Sequence, residues 1–457
     1  MKTKSFKGGI HPPERKRTTE SFPLTPAFPS TKMVWIPVTQ GGMPNTPLVK
    51  PGDIVALGQK IAAADTNMSV PVHASISGIV KKIENRLVPG NIEVPCIVIE
   101  ADESGATAFM PPMDPFTCTK EVALERIRDA GLVGMGGASF PTHVKLKPPV
   151  GTQIEYLLAN GAECEPFLTV DGRIMEEHAA AVVDGIAIAM HITGARTGLL
   201  LIEDNKRWLL PSLTKAIADQ KSNPVGAGAH SISVKVCRTK YPQGSEKMLI
   251  KAAVGREVPS GRLPSVVGCV VQNVGTLKAL SEAFRLGKPL IERALTISGG
   301  ACGAPGNYVV PVGTLMGDLI PEVIPLYPGV VKILSGGPMM GCAMKSAAFP
   351  IQKCTSGILF LTEKETILQE ESACIGCGRC IVACNCGLSP VLMDRALRAD
   401  NLQEAIRCGL LDCVECGSCS YVCPAQIQLV QRFRVGKQRV RAARQKKNKE
   451  SVDGTVR

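Results

Sequence analysis

Aromatic side chains are scarce in this chain of 457 residues, in which Phe, Tyr and Trp together make up 4%. Long apolar runs are missing as well. No run reaches the roughly 18 residues of a membrane-spanning helix, so no such helix is expected. No apolar stretch of signal length follows Met1, so no secretion signal is expected either. Hydrophobic residues (45%) and charged residues (20%) occur at ordinary globular levels, which excludes a disordered, collagen-like or coiled-coil chain.

The positive charge is concentrated at the C-terminal end. The net charge is +12, of which +8 falls within residues 432–457 and +4 within the rest of the chain. A nearly neutral body argues against a nucleic-acid-binding face. The tail, residues 431–457, is expected to be helical, and it either faces an anionic membrane surface or an acidic partner, or is simply solvated.

Cysteines are clustered rather than dispersed. Of 18 cysteines, ten lie between residues 374 and 423, which is unlike a small secreted disulfide scaffold and predicts metal ligands. The order CxxCxxCxxxC occurs twice there and is typical of bacterial ferredoxins, in which each run binds a [4Fe–4S] cluster and gives its fourth cysteine to the other cluster. The predicted ligand sets are Cys374, Cys377, Cys380 and Cys423, and Cys413, Cys416, Cys419 and Cys384.

Two details of this region depart from the simplest pattern. Asn385 follows the fourth cysteine of the first run, where a proline is expected, and Cys386 and Cys408 are extra cysteines that we interpret as non-ligands. Structural zinc is the alternative, although it needs only four ligands per site and not this order. Two clusters side by side indicate a path for single electrons.

The rest of the chain predicts a multidomain fold of α/β and β units. Residues 1–30, rich in proline and basic residues, form an extended leader. Short apolar runs at 31–114 resemble a barrel-sandwich hybrid domain of the biotinyl/lipoyl type, but the hairpin tip at 65–70 lacks the lysine of a carrier. Short strands return at 294–350, which resembles a β-grasp module. The cysteine region, 364–430, is expected to be a helical dicluster ferredoxin domain.

Residues 115–293 predict an α/β domain, because helical and strand patterns alternate there. The helix-like stretches are 120–130, 176–192, 209–220 and 244–253, and the strand-like stretches are 155–159, 198–202 and 232–237.

Three polar or glycine-rich segments within this domain attract attention: 134–145, 160–166 and 271–276. The first contains Gly134, Gly136 and Gly137, and such a loop lets backbone N–H groups approach an anion. A segment of this kind alone is more often an ordinary turn or loop, and none of the three follows the GxGxxG order of a Rossmann dinucleotide site.

Together the three segments resemble the flavoprotein subunit of respiratory complex I, whose loops read GxGGAGFPTGxK, NADExEP and NNVET. The matching positions are Gly134, Gly136, Gly137, Phe140, Lys145, Asn160, Glu163, Glu165, Asn273 and Thr276. Ser139, Ala162 and Gln272 differ from that family, and its GEE segment is kept only as Gly244 and Glu246.

The resemblance implies that FMN binds on the glycine loop, with Lys145 balancing its charge. The acidic loop would then meet flavin and NADH, with Glu165 orienting the nicotinamide and Phe140 packing nearby. A flavin exchanges electrons with NADH in pairs and with clusters singly, so it belongs between the two. No nucleophile or acid–base dyad is expected. His11, His73 and His143 are interpreted as loop or surface residues.

The N-terminal segment from Phe6 to Glu14, FKGGIHPPE, and the order of the modules resemble the C subunit family of the Rnf/Rsx electron-transport complex. That resemblance implies a peripheral subunit on the cytoplasmic side of the cell (inner) membrane, in a complex that couples NADH–ferredoxin electron transfer to ion translocation. Its partners would be the other membrane and peripheral subunits, with ferredoxin reached through one of them.

Two other functions remain open from the sequence. One is a soluble flavin/iron–sulfur reductase like the cobalamin reductase of bacterial microcompartments, which shares much of this architecture. The other is an electron-transfer module with clusters only, its flavin site lost through Ser139 and Ala162. The leader around His11 favours the Rnf-type function over the first of these.

Overall fold

The computed structural model describes residues 4–102, 104–221, 231–366 and 369–453. The leader is extended and crosses the other units. The Gly9 N–H donates to the carbonyl of Ala383 (2.9 Å), and Ile10 bridges to Tyr241. The leader ends in strand β1, Leu24–Pro26, which pairs in parallel with Gly306–Pro311. Its residues therefore join parts of the chain that lie far apart in sequence.

The barrel-sandwich unit consists of two antiparallel sheets around a core of small aliphatic side chains such as Val34, Ile61 and Ile97. Its strands are β2 (Met33–Pro37), β3 (Thr46–Pro47), β4 (Ile54–Val55), β5 (Lys60–Ala63), β6 (Val72–His73), β7 (Gly78–Val88) and β8 (Ile92–Ala101). The sheets have the orders β2-β8-β7-β4 and β3-β5-β6.

The hairpin tip of this unit, between β5 and β6, packs against the following domain. Arg128 donates to the carbonyl of Ala64 (2.9 Å), and the His143 Nε2 lies 2.9 Å from the carbonyl oxygen of Asn67. The tip thus contacts the short helix that follows the glycine loop.

The α/β domain has a four-stranded parallel sheet in the order β11-β10-β9-β12, with helices on both faces. The elements are α1 (Lys120–Asp129), α2 (Thr142–Lys145), β9 (Tyr156–Gly161), α3 (Val170–Glu177), α4 (Ala179–Thr193), β10 (Thr197–Glu203), α5 (Leu210–Lys221), β11 (Ser231–Cys237), α6 (Glu246–Val254), β12 (Cys269–Asn273) and α7 (Val274–Arg285). Leu200 and Ile202 face one apolar core and Leu199 and Leu201 the other, as a sheet covered on both faces requires.

The single helix predicted at 176–192 is wrong. The backbone of His178 is not helical (φ −127°), and it separates α3 from α4. The sequence analysis also missed α7, which packs closely on α4. A Cβ added at Gly185 would lie 2.0 Å from the carbonyl oxygen of Leu277, so only glycine permits this approach. The packing fixes the start of α7, where Asn273 and Thr276 lie.

The third unit is a six-stranded mixed sheet in the order β1-β14-β13-β17-β15-β16. Its further elements are β13 (Glu292–Ser298), β14 (Gly306–Pro311), α8 (Met316–Leu319), β15 (Lys332–Ser335), β16 (Cys342–Met344) and β17 (Gly357–Leu361). The expected boundaries of 294–350 are too narrow, because β13 begins before them and β17 lies beyond them. The leader strand β1 also belongs to this sheet.

The cysteine unit is helical. Its helices are α9 (Arg379–Ala383), α10 (Pro390–Arg398), α11 (Leu402–Arg407), α12 (Ser418–Tyr421) and α13 (Leu429–Asp453). A separate tail beginning at 431 is wrong: Phe433 and Val440 on α13 are buried in this core, and Arg432 pairs with Glu371 and Asp394 at 2.7 Å. None of the described helices is long and apolar enough to cross a membrane.

Candidate flavin site and cysteine cavities

The glycine loop at 134–140 is closed on itself and tied to α7. The Gly134 N–H donates to the carbonyl of Phe140 (2.8 Å), and the Met135 N–H donates to the hydroxyl of Thr276 (2.9 Å). A Cβ added at Gly136 would lie 3.6 Å from the Cβ of Asn273. The first and third of the three sequence segments therefore lie side by side.

The outer part of this loop faces open space. Gly137 has φ +102°, and a Cβ added there would meet nothing within 4 Å. Ser139, where the resembling family has glycine, adopts a left-handed backbone (φ +50°), a conformation that glycine takes more readily than other residues. Phe140 is 40% exposed. An accessible glycine backbone beside an exposed aromatic ring suits a planar, anionic ligand.

Asn160 and Asn273 are register partners at the carboxyl ends of the parallel strands β9 and β12. The Asn160 side chain donates to the carbonyl of Gly244 (2.8 Å), and the Asn273 side chain donates to Asp171 (2.8 Å) and caps α7 through the N–H of Gly275 (2.9 Å). This is the edge at which open parallel sheets bind ligands.

Lys145, at the end of α2, already has a carboxylate partner. Its Nζ lies 3.1 Å from Glu246 Oε2, and both side chains are partly exposed. The sequence analysis noted Glu246 only as a remnant of a family motif. The pair places the segment around Gly244 beside α2, the short helix that follows the glycine loop.

The acidic loop does not present its carboxylates to the glycine loop in the way that the resemblance implied. The Glu163 Oε1 accepts from the Asp171 N–H (2.8 Å), and its Oε2 lies 3.3 Å from the Lys206 ammonium. Both oxygens of Glu165 accept backbone N–H groups, from Met339 and Met340, at 3.0 Å. Burial raises the pKa of Glu165 to about 7. This carboxyl therefore joins the acidic loop to the third unit.

Lys16 is the residue that the sequence analysis missed most clearly. Its ammonium is buried and donates to the carbonyls of Glu163 (2.6 Å), Glu165 (3.0 Å) and Leu168. Burial lowers its pKa. The only sequence signal was a lysine in a basic, proline-rich leader, which gives no indication of burial.

The eight predicted cluster cysteines line two cavities in the helical unit. One is lined by Cys374, Cys377, Cys380 and Cys423. The other is lined by Cys384, Cys386, Cys413, Cys416 and Cys419. The last cysteine of each run therefore lies in the cavity of the other run, and four thiols that line one cavity fit the donor set of a [4Fe–4S] cluster. Within the described ranges, no three His, Cys, Asp or Glu side chains converge as they would around a single metal ion.

The second cavity lies against the α/β domain. The Tyr241 hydroxyl donates to the carbonyl of Cys416 (2.6 Å), and Cys164 of the acidic loop packs in the same apolar cluster as Cys416. In the first cavity, by contrast, Cys374 and Cys377 are exposed. The cysteines of the second cavity are therefore more buried than those of the first.

The comparisons with known proteins first define the class. Residues 127–282 match the family model described as the Nuo51 FMN-binding domain, so the chain carries a complex I-type flavoprotein domain. Residues 4–104 match the RnfC barrel sandwich hybrid domain. The H2-reduced NAD+-reducing [NiFe]-hydrogenase is structurally similar, with a TM-score of 0.50 and 19% identity over 71% of this chain and 62% of that chain, which shows a shared fold.

The chain belongs to the family formed by the C subunits of Rnf complexes. It is 44% identical to the C subunit of the proton-translocating ferredoxin:NAD(+) oxidoreductase complex of Clostridium ljungdahlii, over 96% of this chain and 95% of that protein. It is 40% identical to the C subunit of the Na(+)-translocating ferredoxin:NAD(+) oxidoreductase complex of Acetobacterium woodii, over 98% and 100%. The C subunit of the ion-translocating oxidoreductase complex of Rhodobacter capsulatus is 36% identical, over 95% and 82%. The resemblance drawn from the sequence is thereby confirmed.

Lys16→Met should destabilise the chain by about 3–5 kcal/mol, because it leaves three buried carbonyls without their donor and removes one of the two cations beside Glu163. Thermal unfolding followed by circular dichroism should give a clearly lowered melting temperature. Arg17→Met, which removes an exposed neighbouring charge, is the matched control and should be nearly neutral. Equal melting temperatures for the two variants would contradict the tie described here.

The pKa of Glu165, raised to about 7, predicts a pH dependence. The unfolded carboxyl, with a pKa near about 4.3, ionises first. Its contribution to stability is therefore complete below about pH 4 and is lost as the pH rises through about 7. Glu165→Gln cannot ionise, so its melting temperature relative to wild type should rise from about pH 5 to pH 8.

Melting curves at several pH values test this, with Glu121→Gln on an exposed face of α1 as the control. If the difference between Glu165→Gln and wild type stays constant with pH, as is expected for the control, then Glu165 does not titrate in this range.

Proposed function

We propose that this chain is the subunit of an ion-translocating complex through which electrons pass between NADH and ferredoxin. The observation that carries the proposal is the presence, in one chain, of an FMN-binding domain match and two cavities each lined by at least four cysteines. Relatives matched over nearly their whole length are named as the C subunits of such ferredoxin:NAD(+) oxidoreductase complexes.

The residues that would hold FMN are those around the open glycine loop. The backbone of Gly134, Gly136 and Gly137 offers N–H groups to an anion, and Lys145 offers a positive charge near it. FMN, when bound, supplies two-electron exchange with a nicotinamide and one-electron exchange with a cluster. Asn160, Asn273 and Thr276 hold the surrounding backbone, while Phe140 provides an exposed ring for stacking.

The acidic loop has a different role in this proposal from the one that the resemblance implied. Glu163 and Glu165 hold the loop in place from within, because their oxygens are occupied by Asp171, Lys206, Met339 and Met340. NADH would then be oriented by groups on the open side, where Phe140 and the Lys145–Glu246 pair lie.

Two [4Fe–4S] clusters are the proposed occupants of the cysteine cavities, with the third unit as a β-grasp module and the helical unit as a dicluster ferredoxin domain. Each cavity is lined by three cysteines of one run and the last cysteine of the other, which supports cubane clusters over structural zinc. Among the described residues, the thiols line a cavity and do not converge around a single metal ion. The proposed ligands are Cys374, Cys377, Cys380 and Cys423 for one cluster, and Cys384, Cys413, Cys416 and Cys419 for the other.

The position of the two cavities supports an order of electron exchange. Tyr241 and Cys164 hold the second cavity against the α/β domain, whereas exposed Cys374 and Cys377 leave the first accessible to a partner protein. In this proposal the chain is peripheral, on the cytoplasmic side of the membrane, and meets ferredoxin through another subunit. The exposed arginines of α13, such as Arg441, offer a contact with acidic protein or lipid.

Anaerobic purification with chemical quantification tests the proposal. We expect about eight irons, with equal sulfide, and one releasable FMN per chain, together with bleaching of the cluster absorbance by NADH. A colourless chain with zinc would overturn the cluster assignment, and an iron-loaded chain without FMN would favour the cluster-only module. Recovery without membranes or other subunits in cell fractions would favour the soluble reductase.

Lys145→Ala should weaken FMN binding roughly 10- to 100-fold, the effect of losing one charge-assisted hydrogen bond of about 1.5–3 kcal/mol. The measurement is a titration of the flavin-depleted chain with FMN, followed by quenching of flavin fluorescence. Lys147→Ala, which removes an exposed lysine two residues further on, is the control. Equal dissociation constants for the two variants would remove Lys145 from the FMN site.

A further inference from the structure

The second cavity contains one thiol more than a [4Fe–4S] cluster needs. Cys386 lines it together with Cys384 and the three cysteines of the second run. Among the described residues, the first cavity is lined by four cysteines only. The two cavities, so similar in sequence pattern, therefore differ in their number of sulfur donors.

The backbone between the two neighbouring thiols lacks the residue that would restrict it most strongly. Asn385 stands between them, where a proline would have fixed φ near about −65°. Gly387, which follows, has φ +68°, and a Cβ added there would meet nothing within 4 Å. The segment therefore has open space at Gly387 and lacks a proline at 385, whereas the leader packs against the carbonyl of Cys384.

The side chain of Asn385 points to the same cavity. Its Oδ1 accepts from the thiol of Cys416 (3.3 Å), whereas its Nδ2 is buried and has no hydrogen-bond partner among the described residues. A buried amide donor without a partner is costly, and thiolate or sulfide is an acceptor that would satisfy it. This orphaned donor is independent of Cys386, and it indicates a ligand in the cavity.

We propose that Cys386 is an alternate ligand of the cluster in the second cavity, able to take the iron that Cys384 binds. The proposal rests on the proposed cluster assignment. In the exchange, the iron–sulfur bond to Cys384 breaks and its sulfur takes up a proton. Cys386 loses a proton and forms the new iron–sulfur bond. No electron is gained or lost, so the exchange needs no oxidant or reductant.

Such a spare ligand protects one cluster and not the other. If Cys384 is oxidised or alkylated, the iron that it held keeps four sulfur neighbours. The first cavity has no equivalent among the described residues, so loss of Cys423 would open its cluster. The cavity next to the α/β domain is thus the better protected of the two.

The test compares single and double variants of the full chain, purified anaerobically and reconstituted with iron and sulfide. Iron is quantified per chain, and the oxidised sample is examined by electron paramagnetic resonance for a three-iron cluster. We expect Cys384→Ala to keep about eight irons, as wild type does, without a three-iron signal. Cys384→Ala/Cys386→Ala should lose the second cluster or convert it to the three-iron form.

Cys423→Ala is the matched control, because it removes the corresponding ligand from the cavity without a spare thiol, and it should behave as the double variant does. Cys386→Ala should resemble wild type. Circular dichroism of each variant separates loss of iron from loss of folding. The proposal is overturned if Cys384→Ala loses iron as Cys423→Ala does, if the double variant keeps all its iron, or if Cys386→Ala alone loses the cluster. Low iron in wild type would instead overturn the cluster assignment itself.

Discussion

The buried ammonium of Lys16 is the interaction on which the rest of the site depends. It donates hydrogen bonds to the carbonyls of Glu163 and Glu165 in the acidic loop and of Leu168 just after it, and so fixes the position of the loop. From that loop, Glu165 reaches the N–H groups of Met339 and Met340. Met339 in turn lies against Gly417, next to Cys416, which lines the second cysteine cavity. Moving the leader away from the acidic loop would leave the buried Lys16 ammonium without acceptors, which is costly. This series of contacts therefore holds the leader, the α/β domain and the cysteine unit in one arrangement.

The net charge does not show that several charged side chains are buried next to one another. The body of the chain is nearly neutral, yet Lys16 and Lys206 lie buried beside Glu163, Glu203 and Asp171. Replacing a buried set of ion pairs by well-packed apolar side chains often leaves the free energy of unfolding unchanged. The buried charges instead fix the position of the acidic loop, because their hydrogen bonds are directional and reach specific oxygens. Apolar contacts alone would fix that position less strictly.

Sequence reasoning succeeded where the signal was local. The strand-like runs at 198–202 and 232–237 lie within β10 and β11, because the first run is almost continuously apolar and the second alternates apolar and polar residues. The cysteine spacing likewise gave the crossed pattern that the two cavities display, although their ligands are still a prediction.

It failed where distant parts of the chain decide. The sequence on both sides of His178 has a helical pattern, and no local signal predicts that the helix is interrupted there. The burial of Lys16 depends on carbonyls about 150 residues away, and β17 belongs to its sheet only through pairing with β13 and β15.

The edge strand β1 has a consequence for how the molecule is made. Leu24 pairs with Asn307, so on the ribosome the strand emerges roughly 280 residues before its partner exists. During that interval it is an unpaired edge, open to association with other chains. Pro23 and Pro26 at its ends remove N–H donors that a foreign strand would need. The prolines at the two ends of β1 thus reduce the number of backbone donors that it offers to other chains before β14 is synthesised.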